Sequence, residues 1–530
     1  MKNLDYDYAF IGSGISCSYT LINLIGLLRE RKGEAKVKII VFEKDKEFWT
    51  GIPYGTRSGN NSLIITKLSE FIPEIEKEAF KSWVVENIEK LTRSYQGSNP
   101  ELFDKWLANN HNDLNDKKFD DLYLPRYWFG DFLKEKTNSI INNAVQDGLI
   151  DITLENGEVH DITKEIDYFK VDYNKGSNNN TLIITSRVVI LTNGGLENRH
   201  IKVDELPDSD TLSVISDPYI PTLDFQLNEV YNSIVKVPDI ADRNLLIIGS
   251  NASSLEFIYN LQEKILPLLN CVHVISNDGE FPYLITETSS ETYFETKNLG
   301  GLKERGSFTA EEIILAAKQD VEAAKALNLN INDICGALSK STFELLNLLP
   351  FNEQANFVYK NGLEFVKLIR RAGHEYRNTV EYLKELDKIK IITGRFSKLT
   401  YETASGQPTF EYLTLDGGVK QFDGPALSFV INCSGFEDLT TTKSILVRNL
   451  IKKSLVEVNK SFKGFYVTKS FEASRNLYVM GPMLAGNIND TMRLWHAESA
   501  SRIFNLSQLL AKILEENLNI HQSNELTNSF

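Results

Sequence analysis

The stretch Ala9–Tyr54 restricts this chain more than any other. An apolar run ends at Gly12, and Gly12-Ser13-Gly14-Ile15-Ser16-Cys17 opens an amphipathic helix carrying Tyr19, Leu21, Ile22, Ile25 and Leu28. A second apolar run, Val37–Phe42, ends on Glu43. Strand, glycine turn, helix, strand and acid in that order make a βαβ unit built for a dinucleotide. Gly12 makes the turn, Gly14 lets the backbone approach a pyrophosphate, the helix N-terminus faces its charge, and Glu43 accepts from a ribose. Cys17 stands where a third glycine is expected, and its small side chain still permits close packing. The competing reading is an α/β turn that binds no nucleotide.

At 530 residues the chain has room for two or three domains, and 42% hydrophobic content is that of a globular protein. A net charge of -15 speaks against nucleic acid as a partner. The four cysteines (Cys17, Cys271, Cys335, Cys433) form no CxxC pair, so neither a zinc site nor a dithiol redox centre is indicated, and no metal is expected. Scattered thiols fit a cytoplasmic enzyme. The first strand follows Met1 almost directly, leaving no signal peptide, and no apolar run reaches the length of a membrane span.

After Glu43, Phe48-Trp49-Thr50-Gly51-Ile52-Pro53-Tyr54-Gly55 reads as an irregular loop near the cofactor. The polar interval Arg93–Asp121 reads as a surface excursion. Leu122–Leu133 leads into a helix with Pro125 at its start. Its Arg126 either meets the cofactor or lies along the surface. A buried strand then returns through Arg187–Gly195, with Thr192 and Gly194 at its tip. A second strand and glycine turn follow at Asn244–Glu256, with Gly249, Ser250 and Asn251 in the turn. Its own return is Phe429–Phe436, with Gly435 at the tip. Two such units suggest two dinucleotides. The second strand of the second unit, Val272–Ile275, runs into Asn277 and Asp278 without an arginine, which favours NADH over NADPH, or a site that holds no nicotinamide. Helical patterns at Thr309–Leu329 and Asn352–Leu386 interrupt that unit. Arg370–Arg377 holds three arginines and His374, either an anion clamp or a solvated helix face. The chain closes with a strand to Gly481, a loop through Asn487, and a helix expected from about Thr491 with Asp490 as N-cap.

Taken together, GSGISC with Glu43, WTGIPYG, LPRYWFGDFL, VVILTNGG, IIGSNASSLE, the HEYR cluster, VINCSGF and LYVMGPM resemble the two-dinucleotide-binding flavoprotein superfamily. Within it the chain looks most like the FAD/NAD(P)-binding group related to flavin-dependent N-hydroxylating monooxygenases. The resemblance implies an α/β fold: an FAD-binding Rossmann-like domain with a nested NAD(P)-type Rossmann-like domain and a helical insertion. The expected division is residues 1–200 (FAD domain, first part), 201–435 (NAD(P)-type domain, insertion around 305–388) and 436–530 (FAD domain, closing part). FAD is expected on Gly12, Gly14, Glu43, Arg126 and the Gly481 turn, with Ser13, Ile15, Ser16, Lys44, Gly51, Thr192, Gly194, Gly435 and Asn487 in the cofactor set. NADH or NADPH is expected near Gly249, Ser250 and Asn251. The implied reaction is transfer of one oxygen atom of O2 to the nitrogen of a small amine or amino acid, with no side chain acting as nucleophile. Arg371, His374 and Arg377 would anchor a carboxylated substrate. An FAD oxidase or dehydrogenase with a degenerate nicotinamide site, and a non-catalytic flavin-binding protein, are the alternatives. Self-association is left open.

Overall fold

The computed structural model describes residues 4–31, 36–176, 180–203, 212–261, 264–286, 294–402, 407–490 and 492–527, with side chains described up to residue 518. β1 (Tyr6–Ile11) feeds α1 (Ile15–Glu30) and then β2 (Val37–Glu43). Two one-turn helices follow, α2 (Gly51–Tyr54) and α3 (Leu68–Phe71). Most of the interval read as a surface excursion instead falls within two packed helices, α4 (Glu74–Ser98) and α5 (Pro100–Asn115), with only its last six residues beyond them. The polar composition hid an inward face: Leu102, Phe103, Trp106 and Asn110 are buried at helical spacing. Trp106 meets Trp128 of α6 (Arg126–Gln146) at 5.7 Å between ring centroids. Trp128 is therefore a core residue.

β3 (Ile150–Lys164), β4 (Phe169–Lys175) and β5 (Thr181–Leu191) are shared between two tasks. The start of β3 runs parallel to β2 and the end of β5 parallel to β1, while their other halves pair antiparallel with β4. The chain then builds a second sheet from β6 (Ser213–Ile215), β7 (Asn244–Ile248) and β8 (Cys271–Ser276), with α7 (Leu223–Ile234) and α8 (Ala252–Leu261) between them. β9 (Tyr283–Leu284) leads into a helical run: α9 (Lys297–Arg305), α10 (Ala310–Ala326), α11 (Ile331–Leu348), α12 (Phe351–Asn356) and α13 (Gly362–Ile369). This run has its own core, including Ile313, Ile334, Leu338, Leu345 and Phe357. β10 (Arg371–Ala372) pairs with β9, α14 (His374–Glu385) packs on α8, and β11 (Ile389–Thr393) rejoins the sheet. An antiparallel meander β12 (Arg395–Tyr401), β13 (Pro408–Leu413) and β14 (Val419–Gln421) precedes β15 (Phe429–Asn432).

The second sheet, β11-β8-β7-β15-β6, is parallel throughout and repeats the β3-β2-β1-β5 order of the first, meander included. After α15 (Ile445–Lys452), β16 (Glu472–Ser474) and β17 (Leu477–Val479) return to the first sheet, β17 parallel to β5. A hairpin of β18 (Asn487–Ile488) and β19 (Arg493–Leu494) precedes α16 (Ala500–Thr527). α16 packs along α1. Leu21, Leu24, Leu28, Leu510 and Leu514 are buried in the same core, each worth about 1.5–3 kcal/mol relative to exposure.

Candidate functional site

Gly12 closes β1 with φ +97°, and a Cβ there would lie 2.7 Å from both Asn193 Cα and Thr192 O. The return strand thus lies directly over the turn, and the Thr192 hydroxyl donates to Gly12 O at 2.6 Å. At Gly14 an added Cβ would meet only Gly51, its Cα at 3.4 Å. The loop bearing Gly51 is pinned there: Trp49 N–H donates to Ser13 O at 2.9 Å, and its buried indole donates to Asn138 at 2.8 Å. Gly481 arrives from the far end of the chain, and a Cβ on it would sit 2.5 Å from Ser16 Oγ. Four glycine backbones thus crowd the start of α1, which has no side-chain cap and no acid in its first turn. Its free N–H groups and the bare backbones around them fit the diphosphate of FAD. Glu43 Oε2 accepts from Ser13 N–H (3.0 Å) and Ser13 Oγ–H (2.7 Å), and Oε1 accepts from Asp45 N–H (3.0 Å). The carboxylate is thereby held at the tip of β2 with lone pairs left for a ribose. Ile15 and Ser16 are buried beneath the turn and Lys44 is exposed.

α16 points its N-terminus the same way. Tyr19 meets Phe504 at 5.0 Å between centroids, Asn23 reaches Ser507 at 3.4 Å, and Arg31 reaches Glu515 at 3.4 Å. The pairs advance in step, so α1 and α16 run parallel and both start at the glycine turn. The start of α16 corrects the sequence reading. It begins at Ala500, with Ser499 Oγ accepting from Arg502 N–H at 3.3 Å; Asp490 lies in the hairpin, and Thr491 lies outside the described residues. From the first turn of the helix, Arg502 Nη1 stands 3.2 Å from Nδ1 of His496, which precedes it. Burial, then Arg502, lowers the His496 pKa to about 4, so the imidazole is neutral at pH 7. Glu498, though exposed at its surface, sits among enough protein that desolvation raises its carboxyl, against the pull of Arg502 and Lys463. This cluster was missed in the sequence, where a His-x-Glu-x-x-x-Arg run leading into the last helix was its signal.

Two expected cofactor contacts are corrected. Asn487 is spent on its own backbone: Nδ2 donates to Phe465 O (2.7 Å) and Leu484 O (2.9 Å), and Oδ1 accepts from Val467 N–H (3.0 Å). Arg126 turns from the first glycine turn toward the second unit, with Nη1 2.6 Å from Glu256 Oε2 of α8 and Nε donating to Leu63 O at 2.9 Å.

The second unit repeats the first. Gly249 has φ +108°, and a Cβ there would lie 2.2 Å from Cys433 O on the return strand. The Ser250 hydroxyl donates to Glu280 O at 2.6 Å, while Asn251 is exposed at the start of α8. Gly194 and Gly435 have positive φ and open space beside them. Their segments are joined: Glu437 N–H donates to Glu197 O and Arg199 N–H to Gly435 O, both at 2.9 Å. A double link of backbone therefore connects the two sheets.

The expected clamp does not assemble. Arg371 pairs with Glu70 at 3.3 Å, His374 with Glu375 at 3.0 Å, and Arg377 with Glu381 at 2.5 Å. Each already has a carboxylate, that of Arg371 on α3 and those of His374 and Arg377 on α14 itself. The tip of β8, by contrast, does have an arginine: Arg370 reaches Asp278 at 3.1 Å. All four cysteines are free. Burial pushes the Cys433 thiol up to about 12 and raises Cys17 and Cys271, whereas Cys335 is half-exposed. A thiol reagent is expected to titrate one cysteine in the native protein and four after denaturation; fast reaction of two or more native thiols would contradict this burial.

Two dinucleotide folds, each with a glycine turn under its own return strand and joined by a double link, define a two-dinucleotide flavoprotein. The chain belongs to the FAD-NAD(P)-binding family, whose pattern matches residues 9–196, and its cofactors are FAD and a nicotinamide dinucleotide. It is 30% identical, over 96% of its length and 95% of theirs, to uncharacterised proteins of Mycobacterium tuberculosis and Mycobacterium bovis. Its fold is similar to that of ornithine hydroxylase PvdA from Pseudomonas aeruginosa (TM-score 0.54, 12% identity, 97% of this chain and 99% of that one). It is also similar to the FAD-bound cadaverine monooxygenase DfoA from Erwinia amylovora (TM-score 0.54, 11% identity, 97% and 95%).

Proposed function

We propose that the protein is an FAD-dependent monooxygenase that hydroxylates the nitrogen of a small amine or amino acid, using NAD(P)H and O2. The observation that carries this reading is the likeness, over nearly the whole chain, to enzymes described as an ornithine hydroxylase and a cadaverine monooxygenase. The thiols support it: with four free cysteines and none paired, electrons have no disulfide to pass through, which leaves a diffusible acceptor such as O2. Bound FAD supplies hydride acceptance and oxygen activation. The chain supplies placement. Gly12, Gly14, Gly51 and Gly481 seat the diphosphate, and the start of α16 offers a positive dipole end to negative charge on the ring. We assign substrate contact to His496, Glu498 and Arg502 in place of Arg371, His374 and Arg377. With Nδ1 accepting from Arg502, the neutral imidazole carries its proton on Nε2 and donates to the lone pair of an amine nitrogen or to a carboxylate without adding positive charge, and Glu498 and Arg502 offer one partner of each sign to a zwitterion. Among the described residues, no helix is long and apolar enough to cross a membrane.

The test is anaerobic mixing of the FAD-loaded protein with NADH and with NADPH, followed by O2 and a panel of diamines and amino acids. Bleaching of the flavin, then a hydroxylamine formed in step with nicotinamide oxidation, is the expected result. Bleaching that yields only hydrogen peroxide with every amine would make the protein an oxidase. No bleaching with either nucleotide would remove the monooxygenase reading.

A further inference from the structure

Residues 61–65 follow the loop that carries Gly51, and they are held largely from outside their own unit. They run antiparallel to the chain entering α6: Ile64 N–H donates to Leu124 O at 2.9 Å and Arg126 N–H to Ser62 O at 2.8 Å, with Leu63 opposite Pro125. In such a pairing the polar backbone groups of the residue in the middle point the other way. Tyr376 of α14 stands there in place of a neighbouring strand. Leu63 N–H donates to Tyr376 Oη at 2.7 Å, and the Tyr376 hydroxyl donates to Leu63 O at 2.9 Å. A hydroxyl can do this because it accepts and donates at a single atom. Burial keeps the phenol protonated and so able to donate. Leu63 is 0% and Tyr376 1% exposed, which leaves no room for water to replace either bond. The second unit holds the segment at two more points: Gly373 N–H donates to Ile65 O at 3.1 Å, and Ser62 Oγ donates to Glu256 of α8 at 3.0 Å.

The segment borders the flavin crevice. Leu63 and Ile64 share a core with Ala500 and Ile503 at the start of α16, the helix end assigned to the flavin ring. Asn61 is buried beside them in sequence, and its Oδ1 has no partner among the described residues. A buried acceptor left open calls for a donor, and the flavin ring carries N–H groups.

We propose that Tyr376 is a positioning residue for the flavin: from the second unit, its hydroxyl fixes the backbone of Leu63 and with it the place of Asn61 beside the ring. The unit that holds the nicotinamide thereby sets the surroundings of the cofactor it serves. The proposal rests on FAD lying against Gly14 and Gly51, and it does not depend on what the flavin later oxidises.

Tyr376→Phe and Tyr259→Phe, each loaded with FAD, test it. Tyr259 meets Tyr376 edge-on at 5.1 Å between centroids, and its hydroxyl lies 3.3 Å from that of Tyr95 on α4. It too joins the units, yet among the described residues it makes no hydrogen bond to residues 61–65. Tyr376→Phe is expected to shift the absorption bands and midpoint potential of the flavin. It should also slow flavin reduction by saturating NADH or NADPH at least about tenfold, as a misplaced reacting group does. Tyr259→Phe is expected to lower the melting temperature and leave all three flavin readouts as in the native protein. Hydrogen exchange on the native protein decides the matter even where a variant does not hold FAD: the Leu63 amide should be as protected as the amides of β1. Unchanged flavin readouts in Tyr376→Phe, equal shifts in both variants, or a Leu63 amide that exchanges as freely as those of exposed loops would each overturn the proposal. A yellow, fully loaded Gly14→Val protein marks the separate failure, that of the cofactor's place. Hydrogen peroxide as the only product would leave these readouts as they are.

Discussion

A Gly14→Val variant is expected to purify folded and colourless. Gly14 has φ -68° and ψ -172°, which a β-branched residue adopts without strain. Its Cβ would meet only the Gly51 backbone, at an ordinary contact distance of 3.4 Å, so the protein itself has room for the side chain. The cofactor does not. The valine methyls would stand in the crevice between Gly14, Gly51 and the start of α1, where a diphosphate must touch backbone. Overlap of that kind costs on the order of 3 kcal/mol, or at least about a hundredfold in FAD affinity. Gly12→Ala fails for a different reason. At φ +97°, with two backbone atoms 2.7 Å from the new Cβ, it bears backbone strain and overpacking together, each on the order of 1–3 kcal/mol. The two variants separate in one experiment: flavin absorbance per mole of protein beside a thermal melt. Gly14→Val should lose the colour and keep a cooperative melt, whereas Gly12→Ala should lose both. A yellow, fully loaded Gly14→Val protein would move the cofactor elsewhere.

That contrast shows what the sequence could disclose. Gly12 and Gly249 were legible because each answers a local demand: a left-handed turn pressed against a return strand. The strand returns at Thr192 and Cys433 were legible as apolar runs ending in small residues. What stayed hidden depends on residues far apart in the chain. Nothing near Arg126 says that its partner is Glu256, and nothing near Asn277 announces Arg370. Asn487 resembled a ligand because loop asparagines often are; only the fold shows its amide filled by Phe465, Leu484 and Val467. The start of α16 was misplaced because Met492 and Leu494 continue its apolar spacing, while two-residue strands leave no period to detect.

Arg126→Met is expected to produce the other large effect, and its dependence on pH reveals the cause. Arg126 opens α6 and Glu256 lies on α8, so their ion pair ties the first unit to the second. The Glu256 side chain is 1% exposed, and Ser62 Oγ donates to its Oε1 at 3.0 Å. Removing the arginine leaves a buried carboxylate facing Tyr219 and Tyr376, a loss of about 3–5 kcal/mol when the group is ionised. Burial already raises the Glu256 pKa, and Arg126 is the main force opposing that rise. Without it the folded-state pKa climbs further above the unfolded value. Between those two values the folded variant holds a proton that its unfolded chain has released, so its stability falls as pH rises through the interval. The deficit of Arg126→Met relative to the native protein should therefore be small near about pH 4 and full near about pH 8. Urea midpoints at both ends of that range measure it. The double variant Arg126→Met, Glu256→Gln removes the charge as well, and should recover most of the loss and flatten its pH dependence. A deficit of equal size at both pH values, or a double variant no better than the single, would show that the contact between the two units rests on packing around α6 and α8 rather than on this pair.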